Sequence, residues 1–310
     1  MGAEMTRKEL LTRIRRGEVI QSEDLSGIDL SGEDLSGAVF DGVVFKDARF
    51  IEARLSGSTF TNCDLTKADL SWADLTSATL LISNFSGANL TRLELGEASI
   101  MNCNFTGADF TEADCAGVDF TNSRIDGATF VKTDLSGANV SKQNLSGCIM
   151  TNAYLKGCNC MQTNFSQADL TQANLTEAVL TNAELDNIQA HAADFTRAQM
   201  NNASCRNAFV RESFFEESDM TLSDFSHSDL TACILSYAVC RSTQFVGVNL
   251  TFADLSHADL EFADFTKSDL AGAKLHRIRE KDTIWRGSNK DQARGTDPDL
   301  AEAEEWQPVY

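Results

Sequence analysis

The chain has 310 residues and a formal net charge of −20, with 46 acidic and 26 basic side chains. That balance disfavours direct binding to nucleic acid or to an anionic membrane, because both partners need basic patches. No apolar run approaches the ~20 residues of a transmembrane helix, and the N-terminus has no apolar core of the kind a secretory signal needs. A reduced, cytoplasmic setting therefore suits the nine cysteines.

The first predicted element is a short helix. Residues 5–16 place Leu10, Leu11 and Ile14 on one face at helical spacing. Thr6 and Glu9 form a capping-box pattern, and Gly17 follows as a stop. Residues 1–22 are read as a cap and lead-in that cover the apolar end of the repeat body.

From Leu25 to Leu275 every fifth residue is apolar. Leu or Phe fills 39 of these 51 positions, none is charged, and the register never slips. Phe40, Phe60, Phe120, Leu170 and Phe265 are such centres and are the expected core. Two residues before each centre the chain prefers a small side chain, often Ala. Asp or Asn lies between them, and a hydroxyl and often Gly follow, as in Leu135-Ser136-Gly137. A period of five fits neither a helix nor a flat strand. It fits a short extended side followed by a corner. Four sides close a square, and the next coil stacks about 4.8 Å above it. All nine cysteines fall on the two inward phases, where a thiol acts as a small hydrophobe. Cys158 and Cys160 share one side and are the nearest approach to a redox pair. The one undersized centre, Ala190, has a large partner, Ile188, at the small position, so volume is conserved. The body contains no proline, as a backbone whose amides all serve in ladders requires.

This repeat resembles the pentapeptide-repeat family over residues 23–275. The resemblance implies an all-β solenoid, a right-handed quadrilateral parallel β-helix of twelve to thirteen coils, each coil made of four repeats. It also implies a non-catalytic protein that works by binding another protein. The leading segment, LLTRIRRGE and then DLSGIDLSGEDLSG, is similar to members associated with bacterial type VI secretion, where the repeat accompanies effector-loading adaptors at the secretion spike. In the alternative reading, the chain is similar to members that imitate the shape and charge of duplex DNA and bind DNA gyrase. Either way the expectation is a bacterial cytoplasmic protein, monomeric or dimeric through an end cap, with no cofactor and no enzymatic activity.

The surface is uneven. Residues 23–134 hold 19 acids and 7 bases, residues 135–168 hold two bases and no acid, and residues 169–275 hold 16 acids and 6 bases. A DNA imitation should present charge continuously, and the acid-free band interrupts it. Ile149 and Tyr154 lie on the outward phase within that band. Positions one coil apart should stack in columns. The most acidic column includes Asp74, Glu94, Asp114 and Asp134, and further along carries Phe214 and Ile234. With Phe209 on the preceding side, Tyr237 nearby, and Ile149 and Tyr154 in the acid-free band, these form the expected protein interface.

The four histidines, His191, His227, His257 and His276, fall in different coils and on different phases, so no histidine metal cluster is expected. The recurring Ser and Thr are read as corner hydrogen bonders rather than nucleophiles, and a packed solenoid offers no cleft for paired carboxylates. Residues 276–294, with Ile284 and Trp285, are read as a C-terminal cap. Residues 295–310 are read as a flexible acidic tail.

Overall fold

The computed structural model describes residues 5–306. The outermost parts of the expected cap and tail, residues 1–4 and 307–310, lie outside the described residues. The chain divides into two compact units, Met1–Asn164 and Phe165–Tyr310. The repeat register of the sequence carries no mark of that division.

The first unit opens with helix α1, Arg7–Arg15. Thr6 is its N-cap, and its side chain accepts the Glu9 N–H at 3.3 Å. Leu10 is fully buried, whereas Leu11 and Ile14 are half-buried. Arg13 ties the helix to the first coil through ion pairs to Glu18 and Glu23, both at 3.1 Å. One side of the coils then forms a parallel sheet of β1 (Ile20–Gln21), β2 (Val39–Asp41), β3 (Thr59–Thr61), β4 (Thr79–Leu81) and β5 (Ser99–Met101), in that order. Each strand pairs with the same side one coil on, so that Phe40 lies opposite Phe60 and Leu80 opposite Ile100. The other three sides pair through single parallel bridges such as Asp24–Val44, Asp29–Arg49 and Asp34–Arg54.

Local chemistry explains the five-residue unit. A typical centre donates its N–H to the carbonyl just before the equivalent centre of the next coil, as Leu25 does to Val44 at 2.8 Å. Its own carbonyl accepts the N–H of the next small position, as Leu25 does from Ile28 at 3.1 Å, and this closes the corner. The third residue of that turn has positive φ, as in a type II turn. Glycine suits it, but Lys67, Trp72 and even β-branched Ile82 take it at 58°, 60° and 52°. The acid before the centre has a structural task. Asp24 Oδ1 accepts the Ser26 N–H at 3.0 Å, and Asn89 Oδ1 does the same for Thr91 at 3.1 Å. A hydroxyl at the small position has one too. Thr133 donates to the Phe110 carbonyl at 2.7 Å, so a hydroxyl can replace Ala there with its bond satisfied, although the buried Ser58 hydroxyl at the same phase finds no partner.

Each unit has a continuous core. Phe40, Phe60 and Phe120 are fully buried in the first unit, and Leu170 and Phe265 in the second. Phenylalanines one coil apart lie over one another, Phe110 on Phe130 at 5.2 Å and Phe195 on Phe215 at 4.8 Å. Ala190 and Ile188 are both buried. All nine cysteines are buried free thiols. Desolvation pushes the thiols of Cys63 and Cys148 up to about 11, so they stay protonated at neutral pH.

The second unit repeats this architecture and extends past the expected boundary at Leu275. Arg279, Ile284 and Arg294 bridge Asp259, Asp264 and Lys274. Trp285 occupies a centre and stacks on Phe265 at 4.5 Å. Ile284 falls on the outward phase before that centre and is 43% exposed, so Trp285 covers the core here and Ile284 does not. Within the expected cap lies a 3₁₀ turn at Lys290–Gln292, and where a flexible tail was expected from residue 295 stands helix α2, Pro298–Glu305. Asp297 is its N-cap and accepts from Asp299 and Leu300, with Pro298 in the first turn. No helix among the described residues is long and apolar enough to cross a membrane.

Candidate interaction surface

The outward phases of the second unit carry the expected interface residues. Phe214 and Ile234 sit on adjacent coils as direct bridge partners, flanked by Asp194 and Asp254. Phe214 is 38% exposed and Ile234 is half-buried. Phe209 is 53% exposed but belongs to a different column, between Gln189 and Asp229. Consecutive sides of a coil face different directions, and among the described residues no ring contact joins Phe209 to Phe214. Phe209 instead lines a shallow groove with Gln189, His191, Arg211 and Glu212. The His191 Nδ1–H donates to the Arg211 carbonyl at 3.1 Å. Tyr237 is exposed at a corner, and its ring lies flat on His257 at 4.6 Å. In the first unit, Ile149 and Tyr154 are both about half exposed, and Tyr154 bridges Asp134.

The acidic column of the first unit is continuous over Asp74, Glu94, Asp114 and Asp134, each the bridge partner of the next. Nearby, the Arg92 guanidinium lies over the Trp72 ring at 4.2 Å and also pairs with Glu112.

The expectation of no histidine cluster is corrected. His257 donates its backbone N–H to the His276 carbonyl at 2.7 Å, because the ladder joins each corner to the residue one short of a full coil away. The two rings meet edge to face at 5.2 Å. Glu304 of α2 reaches both, with Oε1 at 3.2 Å from His257 Nε2 and Oε2 at 3.3 Å from His276 Nε2. Arg277 Nε lies 3.1 Å from the same Oε2, and the guanidinium also bonds Glu305 and the Ala301 carbonyl, both at 2.6 Å. His276 is buried, and its Nδ1 accepts the Asp297 N–H at 3.1 Å. Equal phase at full-coil spacing identifies neighbours along a side but not around a corner, where the offset of one residue brings His257 and His276 together.

Coils of five-residue sides, each paired in parallel with the same side of the next coil, define a parallel β-solenoid with short helical ends. The family model described as pentapeptide repeats (8 copies) matches residues 24–57, 45–80, 53–92, 68–107, 103–141, 133–160, 158–197, 198–236 and 243–279. The chain belongs to the pentapeptide-repeat family. No curated protein matches its sequence. Among solved structures, it is similar to HetL, a pentapeptide repeat protein involved in heterocyst differentiation regulation from the cyanobacterium Nostoc sp. strain PCC 7120. The identity is 20%, covering 93% of this chain and 96% of that one, with a TM-score of 0.30. Rfr23 from the cyanobacterium Cyanothece 51142 is 22% identical over 43% of this chain and 98% of that one, with a TM-score of 0.34. Full-length QnrB1, a plasmid-mediated fluoroquinolone resistance protein, is 21% identical over 67% of this chain and 93% of that one, with a TM-score of 0.21.

Proposed function

We propose that this protein is a non-catalytic interaction scaffold that binds another protein through the outward face of its second unit, as an accessory or adaptor in type VI secretion effector loading. The observation that carries the interaction reading is the pair Phe214 and Ile234, apolar side chains in bridge register at positions the repeat most often gives to Asp or Asn. The secretion reading rests on the leading segment LLTRIRRGE. The test is affinity capture from the native lysate with mass spectrometry, comparing wild type with Phe214→Asp/Ile234→Asp. Spike or adaptor components should be recovered with wild type and lost with the variant, whose circular dichroism stays unchanged. Equal recovery with both would remove this face from the interface.

A second reading, imitation of DNA towards gyrase, is favoured by the unbroken column Asp74–Glu94–Asp114–Asp134. Against it stands the acid-free run 135–168, where Asn139, Asn144 and Asn159 make the same turn bonds as Asp without the charge. Inhibition of gyrase supercoiling by the pure protein would favour this reading over the first.

A further inference from the structure

We propose that His257, His276 and Glu304 form a binding site for a divalent transition-metal ion of the zinc class, which joins α2 to the last coils of the second unit. One ligand atom from each residue lies within 4.8 Å of the other two. The two Glu304 oxygens stand 3.2 and 3.3 Å from the imidazole nitrogens. Zinc bonds of about 2.0–2.1 Å in tetrahedral geometry set neighbouring ligand atoms roughly 3.3 Å apart, so the three ligand atoms, spread within 4.8 Å and with one Glu304 oxygen on each ring, draw together around the ion as the carboxylate turns. Two imidazoles and one carboxylate are a borderline N/O donor set. It suits zinc, cobalt or copper better than calcium or magnesium, which take oxygen ligands. Three protein ligands leave a fourth position for water.

The rings are already placed. His257 is stacked on Tyr237, and His276 is buried against the coil. Without an ion, each Nε2–H donates to Glu304. When the ion binds both Nε2 atoms, each neutral ring keeps one proton, which moves from Nε2 to Nδ1. At His276 that proton then faces the Asp297 N–H, which Nδ1 otherwise accepts. Loading therefore breaks this bond and reseats the N-cap of α2. The Arg277 guanidinium, already paired with Glu304, opposes a second positive charge. Both effects weaken the binding of the ion.

The test is titration of the folded full chain with Co²⁺ and Zn²⁺, followed by visible absorption and calorimetry. One equivalent of Co²⁺ should give d–d bands without a thiolate charge-transfer band, because all nine thiols are buried. His257→Gln, His276→Ala and Glu304→Gln should each weaken Zn²⁺ binding at least tenfold. His191→Ala and His227→Ala should leave it unchanged, and Mg²⁺ should not compete. If His276→Ala fails to fold, His257→Gln at the half-buried ring carries the same test. No d–d bands, or Zn²⁺ binding that His257→Gln leaves intact, would overturn the proposal.

Discussion

Helix α1 and helix α2 each close one end of the described chain, and they are held by opposite kinds of force. In α1, Leu10 is fully buried against the first coil, and polar contacts are added around it. In α2 no residue is buried, Leu300 is 49% exposed, and the contacts converge on Glu304 and Glu305. Burying a leucine is worth about 1.5–3 kcal/mol and depends little on pH or salt. Partly exposed ion pairs contribute about 0–1 kcal/mol and are screened by salt. The first helix is thus part of the solenoid's core, while the second is a latch that can open while the coils stay folded.

The largest expected effect comes from breaking the apolar end. Leu10→Ala should cost about 2–5 kcal/mol, and Leu10→Asp more, because it buries an unpaired charge. The unfolding temperature should fall by several degrees, and amide exchange should accelerate through α1 and β1. An unfolding temperature that does not move would mean that α1 is dispensable and the two ends alike. Glu304→Ala tests the other end. It removes the partner of His257, His276 and Arg277 at once. Amide protection should vanish over 298–305, while the global unfolding temperature moves by an amount matching about 1 kcal/mol or less. Retained protection would mean that the Arg277–Glu305 pair and the Asp297 cap suffice alone.

The same contrast explains what could be read from the sequence. The solenoid was legible because a single rule, an apolar residue every five, decides burial at every coil, and no insertion disturbs it. Helix α1 was legible because its packing is apolar and periodic. Helix α2 was not, since its sequence, PDLAEAEE, buries nothing and carries no apolar stripe. The latch was hidden for a further reason. His257 and His276 stand one residue short of a full coil apart, and Glu304 lies beyond the last coil on a separate helix. Hydropathy cannot signal such a polar contact. Of the interface residues, Phe214 and Ile234 could be paired from their full-coil spacing. The divergence of Phe209 depends on which side of the coil it occupies, and Tyr237 is claimed by His257.

The smallest expected effect concerns the charge of the solenoid itself, and it asks whether the acids before the centres resemble the polar latch or the apolar core. Asp34 accepts the Ser36 N–H at 3.2 Å and pairs with Arg54 at 2.9 Å. Hydrogen bonding to Ser36 and then to Arg54 holds its carboxyl down at about 2. Because the folded value lies below the unfolded one of about 3.9, the stabilisation is complete above the unfolded value and is lost as pH falls through the folded one. Asn at this position keeps the turn bond, as Asn89 shows, and loses only the ion pair. Asp34→Asn should therefore lower stability at pH 7 by less than about 1 kcal/mol, since both partners are more than half exposed. The gap should close as pH falls towards 2, where wild-type Asp34 is itself protonating. Melting curves of the two proteins at pH 7 and pH 2.5 measure both quantities. A gap that persists unchanged at pH 2.5 would mean that Asp holds the corner in a way Asn cannot. The long acidic columns would then be a requirement of the fold. A gap that closes leaves the turn satisfied by either residue and the choice of Asp free to serve the surface, which is the condition a charge-reading partner needs.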